Sequence, residues 1–298
     1  MNFQWYPGHM TKAKRQMMED IKLIDLVIEL VDARLPLSSR NPDIDEIAGS
    51  KSRLMLISKA DMADDQMTAR WAQYYESNNI KVCVINARDP SDMKQINEAV
   101  KLVCSAKIER DRKRGIKNRP VRAMVCGIPN VGKSTFINSY AKKAAAKTGN
   151  KPGVTKGKQW IRLSNTLELL DTPGILWPRF EDQSVGLKLA LIGSIKDEIM
   201  NTEELALELI KMLSARYPGA VAKYYNTADA DISAFLPDDA GALSRVEEEL
   251  KELMKIAKIR GCLKSGGELD TLKAANMLLE NFRNGKTGRF TLESPEIE

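Results

Sequence analysis

Eight residues near the middle of the chain, Gly127-Ile128-Pro129-Asn130-Val131-Gly132-Lys133-Ser134, follow the spacing G-x-x-x-x-G-K-[ST]. The chemistry that needs this pattern is phosphate binding. Glycines let the backbone fold tightly, so that the N–H groups of Asn130, Val131, Gly132, Lys133, Ser134 and Thr135 turn inward. The Lys133 amine reaches the β and γ oxygens, and the Ser134 hydroxyl joins a Mg²⁺ shell at a helix N-terminus whose dipole favours anions. Such a loop needs a strand entering and a helix leaving. The apolar, β-prone run 121–126 and the helix-compatible run 135–146 supply both.

Asp171-Thr172-Pro173-Gly174 follows the apolar run 167–170. D-x-x-G is common by itself, but at this distance after a phosphate loop it has a defined use. Asp171 sits at a strand end to hold Mg²⁺ through water, and the Gly174 N–H bonds the γ-phosphate. Between the two lies Lys151-Pro152-Gly153-Val154-Thr155. There Thr155 is expected to give Mg²⁺ its second hydroxyl and to become ordered only with the γ-phosphate.

A base reader of the form N-K-x-D belongs after these elements, yet nothing beyond Gly174 fits it. Far upstream stands Leu54-Met55-Leu56-Ile57-Ser58-Lys59-Ala60-Asp61. The Asp61 carboxylate is placed to accept from N1–H and the 2-amino group of guanine, an edge that adenine does not present. Lys59 would lay its stem on the base plane. Ser58 stands where Asn is usual and makes fewer bonds to neighbouring loops, so looser nucleotide affinity is expected. Asn86-Ala87-Arg88, after the buried run 82–85, takes the place of the loop whose backbone N–H meets guanine O6.

Base reader, base loop, phosphate loop, first switch, second switch is the motif order of the circularly permuted GTPases. The chain resembles the bacterial ribosome biogenesis GTPase A family over essentially its whole length. The likeness extends to Gln4-Trp5-Tyr6-Pro7-Gly8-His9-Met10, to Asp32-Ala33-Arg34 with Pro36, to Asn150 through Gly157, and to Arg260-Gly261-Cys262 with Ser265-Gly266-Gly267-Glu268. It implies an α/β fold: a circularly permuted P-loop GTPase domain with a mostly parallel doubly wound sheet, followed by a smaller all-helical domain. It also implies GTP and GDP as ligands, Mg²⁺ held by Ser134, Thr155 and Asp171, and the maturing large (50S) ribosomal subunit and its RNA as partner. Asn130 resembles the asparagine with which related GTPases bind K⁺ in place of an arginine finger, which makes K⁺ the favoured intrinsic activator.

Composition agrees with these expectations. The chain has 298 residues, 43% hydrophobic, and a net charge of +6, which fits two domains with real cores and favours a polyanionic partner such as RNA rather than DNA. Lys107, Arg110, Arg112, Lys113, Arg114, Lys117, Arg119 and Arg122 crowd the stretch between base reader and phosphate loop. That stretch is either a solvated linker or an RNA contact. Cys83, Cys104, Cys126 and Cys262 lack C-x-x-C spacing, which points to free buried thiols. No run is apolar enough to span a membrane and no cleavable leader is recognised, so a cytoplasmic protein, monomeric when free, is expected.

Strands are predicted at 26–31, 53–57, 81–85, 121–126, 159–163 and 166–170, the last two joined as a hairpin around Asn165. Helical periodicity takes over at 185–195, 203–213, 243–259 and 268–282. The expected division is therefore 1–177 for the GTPase domain and 178–298 for a helical, RNA- or ribosome-binding domain. The second switch then leads straight into that domain, so loss of the γ-phosphate is expected to shift it.

After D-x-x-G stands Ile175, where many GTPases carry a water-orienting Gln. An aliphatic group does not orient water, so slow intrinsic hydrolysis is expected, with Lys133 and Gly174 as its fixed catalytic groups. His9 is the sole histidine, on an N-terminal arm expected to be mobile. It is either a group that orients or polarises the water or a structural or RNA-stacking turn residue. Two other readings stay open: a nucleotide-gated RNA-binding module with negligible hydrolysis, and a GTP-dependent enzyme acting on a small substrate. The second would need acids, bases or metal ligands in the helical part, which lacks His and clustered Cys.

Overall fold

The computed structural model of the chain describes residues 8–86, 88–116, 119–148, 160–177, 182–195, 201–235 and 247–295. Among them, six strands form one sheet in the order β3-β2-β1-β4-β6-β5. The strands are β1 (Leu26–Asp32), β2 (Ser52–Ser58), β3 (Lys81–Val84), β4 (Val121–Cys126), β5 (Trp160–Ser164) and β6 (Leu167–Asp171). All neighbours run parallel except β5 and β6, which form the predicted hairpin. Every residue of β1 is buried, as a central parallel strand covered on both faces requires.

The order reverses between β1 and β4. Strands β1 to β3 build outward on one side, while β4 and β6 build on the other. A doubly wound sheet opens its ligand crevice beyond the carboxyl ends of its strands at such a switch point. Asp32 ends β1, the phosphate loop follows β4, Ser58 ends β2 and Asp171 ends β6. The four motif-bearing ends therefore share one edge of the sheet.

Helices α1 (Gly8–Asp20), α2 (Asp43–Ala48), α3 (Asp65–Ser77), α4 (Met93–Val103), α5 (Ser105–Lys113) and α6 (Lys133–Thr148) belong to this unit. Helix α1 corrects the expectation of a mobile arm around His9. Met10, Ala13 and Met17 are buried, and Ala13 and Met17 pack with Ile24, Ile44, Met124 and Ile175 in one apolar cluster. Apolar residues spaced i, i+3, i+7 form a helical stripe, and burying it holds the helix. Helix α3 is capped by the Asp64 carboxylate, which accepts from the Met67 N–H.

Chain contacts divide the molecule into two compact units, Met1–Val185 with Glu293–Glu298, and Gly186–Leu292. The division thus lies after residue 185, and the chain returns to the first unit at its end. There the Glu293 carboxylate accepts from the Leu37 and Ser38 N–H groups at 2.9 and 3.1 Å and from the Ser38 hydroxyl. Its carbonyl accepts from the Trp71 indole N–H at 3.2 Å.

The second unit holds α8 (Thr202–Arg216), α9 (Ala220–Tyr225), α10 (Glu248–Ile259) and α11 (Thr271–Arg283); α7 (Gln183–Leu191) runs across the division. Leu205, Leu209, Leu213, Leu253, Ile256, Leu278 and Phe282 are buried, as their helical spacing implies. Asn201 and Asp270 cap α8 and α11 through their side chains. All four cysteines are free and buried. No helix among the described residues is long and apolar enough to cross a membrane.

Candidate functional site

The phosphate loop owes its shape to glycines. Gly127 has φ +149°, and a Cβ there would lie 2.6 Å from the Leu30 carbonyl oxygen. A side chain is excluded where the loop leaves β4 beside β1. Asn130 is left-handed with φ +60°, a conformation that Asn tolerates better than most residues. Lys133 then opens α6, with Ser134 and Thr135 exposed on its first turn.

Lys133 is 7% exposed and donates to the carbonyls of Gly127 at 3.2 Å and Ile128 at 3.0 Å. Burial drives its amine down from 10.5 to about 8, against the opposing influence of Cys126 and Asp171. The Asp171 carboxyl is in turn raised by desolvation, with Lys133 acting in the opposite direction. The second switch lies on this lysine. A Cβ on Gly174 would fall 2.8 Å from the Lys133 Nζ and 2.8 Å from the Pro129 nitrogen, so only glycine fits there. Thr172 donates its hydroxyl to the Val125 carbonyl at 2.5 Å, which ties the D-x-x-G turn to β4.

Ile175 is fully buried within the cluster beneath α1. Its N–H donates to the Gly127 carbonyl at 3.3 Å, and its carbonyl accepts from Asn41 Nδ2 at 3.0 Å. The residue after D-x-x-G is thus a core side chain that supplies nothing to orient water. Asn41 is a support that sequence reasoning missed, because its partner lies far along the chain.

The upstream turn expected to read the base meets the phosphate loop. Ser58 is buried and donates its hydroxyl to the Val131 carbonyl at 2.6 Å. It thereby supplies one of the bracing bonds for which Asn is usual. Lys59, left-handed with φ +58°, donates its ammonium to the Asn130 carbonyl at 2.7 Å and to Asp32 at 2.9 Å. Asp61 lies exposed in the 3₁₀ turn Ala60–Met62, and its carboxylate makes no hydrogen bond or ion pair with any described residue. The turn is braced by the Ala60 N–H, which donates to the Ile85 carbonyl at 3.4 Å. Next to it, the Asn86 side chain accepts from the Arg88 N–H at 3.0 Å. Ala87 and Thr155 lie outside the described residues, and His9 is placed in the first turn of α1 by its backbone alone.

A phosphate loop at the switch point, a D-x-x-G glycine lying on its lysine, and the Ser58–Lys59 turn hydrogen-bonded to it from an earlier strand fit a circularly permuted P-loop GTPase. The 50S ribosome-binding GTPase family matches residues 122–262. Over 297 residues the chain is 48% identical to ribosome biogenesis GTPase A of Bacillus cereus, covering 99% of this chain and 95% of that one. It is 47% identical to the protein of the same name from Priestia megaterium, covering 99% and 98%. The crystal structure of GNP-bound YlqF from T. maritima matches with a TM-score of 0.62 at 25% identity, over 96% of this chain and 100% of that one. The chain belongs to the ribosome biogenesis GTPase A family, and it binds and hydrolyses GTP.

With Lys133 on the phosphates, nucleotide binding should be linked to proton uptake. Phosphate favours the ammonium form, so binding should lift the amine from about 8 and take up a proton near and above that pH. Affinity should fall as pH rises past about 8, by up to roughly tenfold per unit. Folding stability moves the opposite way. The unfolded amine, at 10.5, holds more protons than the folded one at about 8, so this group's contribution to stability rises with pH across that window. Calorimetric titration of GDP in buffers of unlike ionisation enthalpy, at pH 8 and about one unit lower, measures the uptake. Equal uptake at both pH values would refute the linkage.

Proposed function

We propose that this GTPase serves the assembly of the large (50S) ribosomal subunit in the cytoplasm, cycling between GTP and GDP with hydrolysis stimulated by the ribosome. The observation that carries this reading is the burial of Ile175 in the core. The phosphate loop, base reader and D-x-x-G glycine come together, yet the position that orients water in many GTPases points away from the site. Rapid turnover then needs a group from outside, and up to roughly 10⁵-fold is within reach of an in-trans activator. The relatives' names supply the nature of the partner.

GTP is held by Ser58, Lys59 and Asp61, by Asn86 and Ala87, by Asn130 through Thr135, and by Thr155 and Gly174. Ser134 and Asp171 offer a hydroxyl and a carboxylate at neighbouring loop ends, a hard oxygen donor set that suits Mg²⁺, with Thr155 as the third ligand. When bound, the metal neutralises charge on the β and γ phosphates. K⁺ at Asn130 is the favoured intrinsic activator. Helix α5 and the Arg114 that caps it present Arg110, Arg112, Lys113 and Arg114 to solvent, a surface suited to RNA phosphates. Residues 1–185 with 293–298 form the GTPase part of this scheme and 186–292 the helical part that responds to the nucleotide state.

GTP turnover measured with and without large ribosomal subunits, in K⁺ and in Na⁺, tests the reading, which fails if subunits leave the rate unchanged. His9→Ala is expected to spare nucleotide and ribosome affinity and the basal rate, and to lower the stimulated rate by roughly 10²- to 10³-fold. Single-turnover rates at saturating subunit check it. An unchanged stimulated rate leaves His9 a structural residue of α1.

A further inference from the structure

Asp32 ends β1 as a fully buried carboxylate shared by two cations. Oδ1 accepts from the Arg34 backbone N–H at 3.1 Å and from Nε at 2.9 Å, while Oδ2 accepts from an Arg34 terminal nitrogen at 2.8 Å. The same Oδ2 accepts from the Lys59 ammonium at 2.9 Å. The Asp32 N–H donates to the Ser39 hydroxyl at 2.8 Å, which fixes the turn from behind. Burial alone would discourage ionisation, but the charges of Arg34 and Lys59 outweigh it and hold the carboxyl well below the usual carboxylate range.

Arg34 already satisfies both oxygens in a forked pair, the geometry for which guanidinium is suited. A purely structural pair would need nothing more. The additional lysine extends from a left-handed residue in the base-reading turn and makes its other bond to the Asn130 carbonyl, at 2.7 Å. One carboxylate on β1 thereby fixes a cation that joins the turn after β2 to the loop after β4. We propose that Asp32 is a positioning residue for nucleotide binding, which holds the Lys59 ammonium against the Asn130 carbonyl so that the base-reading turn and the phosphate loop stand as one cradle.

This rests on the assignment of Lys59 and Asp61 to the base reader. A cradle fixed in advance spares the nucleotide the cost of ordering it. Since Lys59 lies between the base turn and the loop backbone, GDP and GTP should benefit alike. Lys59 also packs on the base plane without reading its edge, so GDP and IDP, which lacks the 2-amino group, should benefit equally.

The test is a double-mutant cycle, with GDP and IDP affinities measured by calorimetry for the wild-type protein, Asp32→Asn, Lys59→Met and the double variant. Each single variant should weaken both nucleotides by about 10- to 100-fold, within the span of coupling in one network, with their ratio unchanged. Adding Asp32→Asn to Lys59→Met should cost nothing further, although thermal stability falls in both backgrounds because Arg34 loses its partner. An Asp32→Asn loss that persists in full on the Lys59→Met background would overturn the proposal and leave Asp32 a structural anion. If Asp32→Asn does not fold, Asp32→Glu, which moves the charge by one methylene, runs the same cycle under the same criterion. Wild-type affinity in Lys59→Met would instead bring down the base-reader assignment, and this proposal with it.

Discussion

Lys133→Ala should lose tight binding of both GDP and GTP while leaving the folded protein at least as stable as before. The side chain is 7% exposed and its amine is depressed from 10.5 to about 8. The fold therefore bears a cost on the order of 3 kcal/mol to keep an ammonium there at neutral pH. Two carbonyls, of Gly127 and Ile128, hold it in place, and neither brings the counter-charge that phosphate brings. Removing one partner of a desolvated charge pair typically costs about 2–5 kcal/mol of binding, roughly 30-fold to several thousandfold in affinity. The same truncation relieves the fold of the buried charge, an exchange of stability for function common at active sites. Titration calorimetry and thermal melting without nucleotide measure the two halves. Retained GDP affinity would remove Lys133 from the phosphate site, and a sharp fall in melting temperature would show that the amine is structural.

What could be read from the sequence was what is local. The strands were legible because 26–31 and 121–126 are apolar runs interrupted only by Glu29 and Arg122, close to what strands buried on both faces require. The phosphate loop was legible because its glycines, lysine and serine are adjacent in sequence. Helix α1 was harder to see. Its stripe of Met10, Ala13 and Met17 is thin and set among Lys12, Lys14 and Arg15, so the segment reads as a basic arm until the packing against Ile24 and Met124 is known. The supports of the site were not legible at all. Asn41 holds Ile175, Ser58 holds Val131, and Asp32 holds Lys59, each joining residues separated widely in sequence. Asp32 still left one signal, an acidic residue closing a strand that is apolar apart from Glu29.

The order of the motifs changes the mechanics of the switch more than its chemistry. The turn at 58–61 and the phosphate loop at 127–134 lie far apart in the sequence, so no short connection holds them together, and the bonds from Ser58 and Lys59 to consecutive carbonyls of the loop take that place. The second switch is held on the other side of the same loop, with Gly174 against Pro129 and Lys133. Only a few residues of loop backbone thus lie between the base-reading turn and the switch. A change at the γ-phosphate should therefore reach groups already bonded to the base-reading turn, along a contiguous physical route for coupling.

Asp61→Asn should exchange guanine for xanthine preference with little loss of stability. Asp61 is exposed in its turn, with no hydrogen bond or ion pair to any described residue, so the substitution breaks nothing that holds the fold. Its carboxylate offers two acceptors to the N1–H and 2-amino donors of guanine. The amide keeps one acceptor and turns a donor toward the base, which faces a guanine donor unfavourably and a xanthine 2-oxygen favourably. A site built to bond a polar edge rejects the mismatched edge by roughly 10⁴-fold, so GTP affinity should fall by several kcal/mol while xanthosine triphosphate gains. The contrast with Asp32 sharpens the prediction. Both are carboxylates near the nucleotide, but Asp32 is buried with two cations and its loss should weaken GDP and IDP equally, whereas loss of Asp61 should change the ratio between bases. Affinities of GTP and xanthosine triphosphate for the two proteins, with melting temperatures alongside, decide it. Wild-type GTP affinity in Asp61→Asn would mean that guanine is read elsewhere on the sheet edge.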